Sequence, residues 1–239
     1  MQAVLKRQLV DLATTPYRAS GQVDYRWARG KLGHDPVFAA LLERSVFPDG
    51  ARVLDLGCGR GLLAAWFLAA EHLAAQGTWS AGTNPPKGLR FRGVELSARD
   101  AICGNCALQP IHGERVRLYV GDMRDADLRD ADAIAILDVL HYMDYAAQER
   151  MLDRVRAALG TGGLFVTRVG DAGGGWRFAL SKIVDLGVAF ARGRAVKRLW
   201  CRPLAAWIGA LEARGFAVQA EPMSAGTPFA NVLLISRVA

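Results

Sequence analysis

From Arg52 onward, short β-branched or aliphatic runs alternate with amphipathic stretches, and this alternation constrains the fold more than any other feature. Arg52–Leu56, Arg90–Glu95, Arg115–Val120, Ala133–Leu137, Gly163–Val169, Phe216–Ala220 and Val232–Arg237 read as strands. Between them, Leu62, Leu63, Trp66, Phe67 and Ala70 share a helical face, as do Leu152, Val155 and Leu159, and Leu204, Trp207, Ile208 and Leu211. Strand–helix alternation of this kind predicts an α/β fold with a parallel sheet covered on both faces. The last two strands leave no room for a helix between them and are expected to pair as an antiparallel hairpin.

Composition narrows the class. An apolar share of 51% over 239 residues is enough to bury one sizeable core and excludes a disordered chain. No apolar run reaches the ~18 residues that span a bilayer. Leu62–Leu73 is broken by Glu71 and His72, and Ile183–Ala191 by Asp185 and Gly187. Gln2–Asp11 alternates polar and apolar residues without a small-residue cleavage site, which predicts no signal peptide and a cytoplasmic protein. Four unevenly spaced cysteines do not make a disulfide framework. Cys103-Gly-Asn-Cys106 has no second cysteine pair and reads as two small side chains on a helix, so no metal is expected.

Val53-Leu54-Asp55-Leu56-Gly57-Cys58-Gly59-Arg60-Gly61 joins a buried strand to a helix through three alternate glycines. Glycines permit a sharp turn and let a ligand approach the main chain without a Cβ in the way. The helix N-terminus adds donors nearby. Alone, such a turn also suits a nicotinamide dinucleotide. The acids that follow discriminate. Glu95 ends the next strand, where a carboxylate can accept from both vicinal hydroxyls of a ribose. Asp122 follows the third strand, placed to accept from an adenine amino group while Met123 packs on the base. Asp55 would repel a pyrophosphate and suits a cationic amino acid end. These sites fit an adenosine carrying a zwitterionic, sulfonium-bearing tail.

From about Ala51 to Ala239, these residues in this order resemble the class I S-adenosylmethionine-dependent methyltransferases. Asp55–Gly61 resembles the family's first motif, Glu95 with Leu96 the ribose acid, and Asp122-Met123 the adenine motif. Asp138-Val139-Leu140-His141-Tyr142 looks like the segment after strand four, and Leu159-Gly160-Thr161-Gly162-Gly163 like the turn before strand five. The resemblance implies a Rossmann-like seven-stranded sheet in the order 3-2-1-4-5-7-6, with strand 7 antiparallel and helices on both faces. It implies S-adenosylmethionine as cofactor, held by Asp55, Gly57, Cys58, Gly59, Gly61, Glu95, Leu96, Asp122, Met123 and Asp138. Asp138 equally suits a plain helix cap. Asp55 and Glu95 stand 40 residues apart, against about 20 in a minimal unit, and the Gly/Pro-rich loop Gln76–Gly88 can absorb the excess.

Methyl transfer from a sulfonium is an in-line displacement, so alignment and desolvation supply much of the acceleration. His141, just past strand four, has the chemistry to take a proton from a phenol or hydroxyl, or else lines the pocket. Tyr142, Tyr25, Trp27 and Trp176 are candidate acceptor contacts. Residues 1–45 are expected to form a helical cap or lid, and 46–239 the methyltransferase domain, with a helical insertion at about 173–202.

The formal charge of +7 is concentrated. Between Arg168 and Arg214, nine Lys/Arg face three acids, which suggests a local docking surface. Arg192, Arg194, Lys197, Arg198 and Arg202 can dock an acidic acyl carrier protein, or grip RNA. The interleaved Trp176, Phe178, Ile183, Phe190 and Trp200 favour an apolar pocket beside them. Tyr25–Leu32, taken with Gly226–Asn231, is also similar to methyltransferases of bacterial aryl polyene pigment clusters, which implies an aryl acid or aryl polyene head group as acceptor. The function expected is methyl transfer to a small, mostly apolar, aromatic molecule. A nucleic-acid methyltransferase and a non-catalytic cofactor-binding scaffold are the alternatives.

Overall fold

The computed structural model describes residues 1–80, 82–173, 199–223 and 230–239. Its strands are β1 (Arg52–Leu56), β2 (Arg90–Glu95), β3 (Val116–Val120), β4 (Ala133–Leu137), β5 (Leu164–Gly170), β6 (Phe216–Pro222) and β7 (Asn231–Val238). They form one seven-stranded sheet in the order β3-β2-β1-β4-β5-β7-β6. β2 pairs in parallel with both β1 and β3, and β7 runs antiparallel to both β5 and β6. This is the order that the family resemblance implies, with the terminal hairpin that the spacing of the last two strands predicts. The chain divides into two compact units, Met1–Ala133 and Ile134–Ala239.

The first unit opens with α1 (Ala3–Thr14), a 3-10 turn (Thr15–Ser20), α2 (Gln22–His34) and α3 (Pro36–Glu43). α3 starts at Pro36, where no amide donor is needed, and the carboxylate of Asp35 accepts from the Val37 amide at 3.1 Å. Periodicity predicts one apolar face for the helix after β1. Instead α4 (Leu62–Ala75) is buried nearly all round, because α1 and α3 pack on it as well. Phe47 meets Phe67 edge-on, with ring centroids 5.0 Å apart. α5 (Ala98–His112) carries Cys103, which is buried, and Cys106, which is exposed. A Cβ at Gly104 would come 2.6 Å from the Arg60 carbonyl oxygen, so only glycine lets α5 press against the turn after β1.

In the second unit, β5 is buried along its length except at Gly170. The Thr167 hydroxyl donates to the Ile136 carbonyl at 2.7 Å, which satisfies a polar group inside this core. α6 (Tyr145–Ala158) is capped by the Asp144 carboxylate, which accepts from the Ala147 amide at 2.7 Å. α7 (Leu204–Glu212) buries Trp207 and Leu211 and leads through Gly215 (φ 78°) into β6. Of the expected insertion at 173–202, only 173 and 199–202 lie among the described residues, and Gly226–Phe229 also lie outside them. No described helix is long and apolar enough to cross a membrane.

Candidate functional site

The turn after β1 is built on left-handed glycines: φ is 77° at Gly57, 56° at Gly59 and 76° at Gly61. A side chain would strain that backbone. The amides of Gly57 and Cys58 both donate to the Val94 carbonyl, at 2.8 and 3.2 Å, which folds the turn over the end of β2. The Glu95 carboxylate spans the turn, accepting from the Gly59 amide at 3.0 Å and from the Ser97 amide at 2.8 Å. α4 begins at Gly61 with no side-chain cap, so its first amides keep their positive end of the helix dipole.

Asp55 and Glu95 are both buried at these tips. Burial pushes the Asp55 carboxyl up to about 7, and the charge on Glu95 adds to the shift. Burial also raises the Cys58 thiol well above its ordinary range. Two acids held this close disfavour an anion and favour a ligand with a positive charge. At the third strand tip, Asp122 is half-buried and binds the guanidinium of its neighbour Arg124 at 2.5–3.0 Å, which lowers its carboxyl. Leu96 is exposed and Met123 half-buried.

The N-terminal aromatics divide. The Tyr25 hydroxyl accepts from Arg18 at 3.3 Å and Arg29 at 3.4 Å, and the Arg18 hydrogen bond lowers its pKa. Trp27 lies under the guanidinium of Arg60, 4.5 Å from ring centroid to Cζ. Arg60 itself, to which the sequence pattern gives no role beyond its place in the turn, is central here. It is buried between Asp24 (2.7 Å) and Asp100 (2.8 Å), and its carbonyl accepts from the buried Tyr17 hydroxyl at 2.8 Å. The one available signal was a cation set between two of the turn's glycines.

In the second unit, Asp138 takes a left-handed conformation (φ 60°), rare outside glycine. Its carboxylate binds the buried Arg168 through Nε at 2.6 Å and also through Nη2. His141 is buried on the 3-10 turn Leu140–Tyr142, its ring 4.3 Å from that of Tyr142. Its carbonyl accepts from the Trp200 amide at 2.8 Å. Gln148, also missed from the sequence, fixes this region. Its amide nitrogen lies 2.7–3.1 Å from the carbonyls of Leu140, Met143 and Trp200, and its oxygen accepts from Arg202 at 2.7 Å.

Arg202 corrects one expectation. It was read as a docking cation, but its guanidinium binds Gln148, Glu149 and the Tyr145 carbonyl and packs over the Tyr145 and Trp207 rings. With its side chain 12% exposed, it packs the interior of this unit. Arg192, Arg194, Lys197, Arg198 and Trp176 lie outside the described residues.

Residues 54–165 match the family described as a methyltransferase domain, just under half of the chain. No curated protein matches the chain by sequence. Among solved structures it is similar to magnesium protoporphyrin IX methyltransferase from Synechocystis with bound S-adenosylhomocysteine (17% identity, 99% of each chain, TM-score 0.59). It is similar to NcsB1, an O-methyltransferase from neocarzinostatin biosynthesis solved with S-adenosylmethionine and 2-hydroxy-5-methyl naphthoic acid. That likeness has 20% identity over 96% of this chain and 60% of NcsB1, with a TM-score of 0.59. The cyclase SpnF is also similar, at 19% identity over 85% of this chain and 80% of its own, with a TM-score of 0.59. At these identities the structures speak for the fold, a Rossmann-like methyltransferase fold. The domain match over residues 54–165 is what supports an S-adenosylmethionine-dependent methyltransferase.

Proposed function

We propose that this chain methylates a small, mostly apolar, aromatic acceptor, with S-adenosylmethionine bound over the tips of β1, β2 and β3. The carrying observation is the buried pair Asp55 and Glu95 beside the left-handed glycine turn. A cationic ammonium group is the ligand chemistry that would relieve both the burial and the repulsion now raising Asp55. When bound, S-adenosylmethionine supplies a methyl group on a positively charged sulfur.

Each residue then has a role its chemistry allows. Glu95 would exchange its hold on the Gly59 amide for the ribose hydroxyls, and Asp122 would accept from the adenine amino group between Leu96 and Met123. Gly57 and Gly59 let the ligand approach the backbone on either side of Cys58, Gly61 lets α4 start close against Leu108 and Leu118, where a Cβ would come within 3.0–3.1 Å, and Asp55 balances the ammonium. Asp138, anchored by Arg168, shapes the end of β4. His141 is the candidate base for a phenol or hydroxyl acceptor, and Tyr142, Tyr25 and Trp27 are candidate aromatic contacts. An aryl acid or aryl polyene head group, free or on an acyl carrier protein, fits the sequence likeness.

The test is methyl release from labelled S-adenosylmethionine against aryl acids and against RNA. Turnover on aryl acids supports the reading. Turnover on RNA with a steep salt dependence would replace it with a nucleic-acid enzyme, and cofactor binding without turnover on any acceptor would replace it with a scaffold.

A further inference from the structure

We propose that Arg60 is a positioning residue: it couples the cofactor turn to the N-terminal helices, so that ligand binding at the turn and ordering of residues 15–34 reinforce each other. This rests on the reading of the turn as the cofactor site. Three separate segments converge on this one residue. Tyr17, on the 3-10 turn, is fully buried and donates to the Arg60 carbonyl at 2.8 Å. From α2, Asp24 binds the guanidinium at 2.7 Å and Trp27 stacks on it. From α5, Asp100 binds it at 2.8 Å.

The chemistry of the cluster favours a coupling role over casual packing. Asp24, Arg60 and Asp100 are each less than a tenth exposed, and buried charges persist only when paired and hydrogen-bonded. Arg99 reaches Asp24 from the rim at 3.2 Å, so two cations balance two carboxylates. Arg60 also stands between Gly59 and Gly61, whose left-handed conformations shape the turn. Its carbonyl is held by Tyr17 and crowded by α5 at Gly104, which fixes the plane of the peptide leading into Gly61. The Gly61 amide in turn donates to the Cys58 carbonyl at 3.0 Å and closes the turn. A movement of the turn when ligand replaces the Glu95–Gly59 contact is therefore transmitted to Tyr17, Asp24 and Trp27. By linkage, the factor by which ligand favours the ordering of those residues is also the factor by which their ordering raises ligand affinity.

Arg60→Met would strand two buried carboxylates and damage the fold, so the decisive variant is Tyr17→Phe, which removes only the donor to the Arg60 carbonyl. The measurement is titration of full-length protein with S-adenosylhomocysteine at a temperature where circular dichroism shows both proteins fully folded. Amide exchange of residues 15–34 is followed with and without the ligand. In the wild type, ligand should slow exchange in 15–34. In Tyr17→Phe, affinity should fall about 3- to 10-fold, the scale of one hydrogen bond, and the slowing should shrink. Trp27→Leu should behave alike, and Trp27→Phe, which keeps an aromatic face under the guanidinium, should retain most of the affinity. Unchanged affinity and unchanged protection in Tyr17→Phe and Trp27→Leu overturn the coupling and leave the cofactor site standing. Failure of the wild type to bind S-adenosylhomocysteine overturns the site itself and the coupling with it.

Discussion

Asp55 on β1 and Glu95 on β2 are buried at the tips of adjacent parallel strands, and the charge of Glu95 adds to the burial that lifts the Asp55 carboxyl to about 7. The pair is strained electrostatically without ligand, since two carboxylates in low dielectric resist ionising together. That arrangement costs the fold stability and favours a bound cation.

A pH dependence follows, and its sign can be worked out. Asp55 binds its proton more tightly folded (about 7) than unfolded (about 4), so from about pH 4 to 7 the folded state holds more protons. Its contribution to stability therefore falls as pH rises through that window, by up to a few kcal/mol. Affinity for a cationic cofactor moves the other way, rising up to tenfold per pH unit below about 7 and levelling above it. Thermal melts and titrations of wild type and Asp55→Asn from pH 5 to 9 check both, because the substitution should flatten both curves.

At Gly57 the backbone stands at φ 77°, where a β-branched side chain is a severe outlier. Gly57→Val should weaken S-adenosylhomocysteine binding by more than tenfold, read by calorimetry on protein shown to be folded. Unchanged affinity would remove the turn from the site.

If His141 takes a proton from the acceptor, His141→Gln should lower kcat by about 10²- to 10⁴-fold with cofactor affinity preserved. Equal turnover in the two proteins would assign this buried imidazole to the pocket wall.

Gln148 is fully buried and serves three carbonyls and Arg202 at once. Gln148→Leu removes the amide from all four partners at once and should cost about 2–4 kcal/mol, visible as a lower denaturation midpoint. A loss under about 0.5 kcal/mol would mean that water replaces the amide.

Strands and hairpin were legible because their cause is local: β1, β2 and β4 occupy the runs read from aliphatic content alone, and β6 and β7 only extend theirs by one or two residues at an end. The glycine turn was legible for the same reason. Tertiary pairings were not. Asp24, Arg60 and Asp100 are scattered over 77 residues of chain, and no periodicity links them. Arg202 sits in a basic run that reads as a solvated face, yet Gln148 and Glu149 on α6 draw it inward. The all-round burial of α4 likewise depends on α1 and α3, which pack on it from earlier in the chain.

The most direct measurement is calorimetric titration of S-adenosylhomocysteine into the full chain and into Glu95→Gln at pH 8. Saturable 1:1 binding to the wild type, weakened about 10- to 100-fold when the charged acceptor at the β2 tip becomes a neutral amide, is the expected result. No binding to the wild type, or equal affinity in both proteins, would contradict the placement of the cofactor at these strand tips.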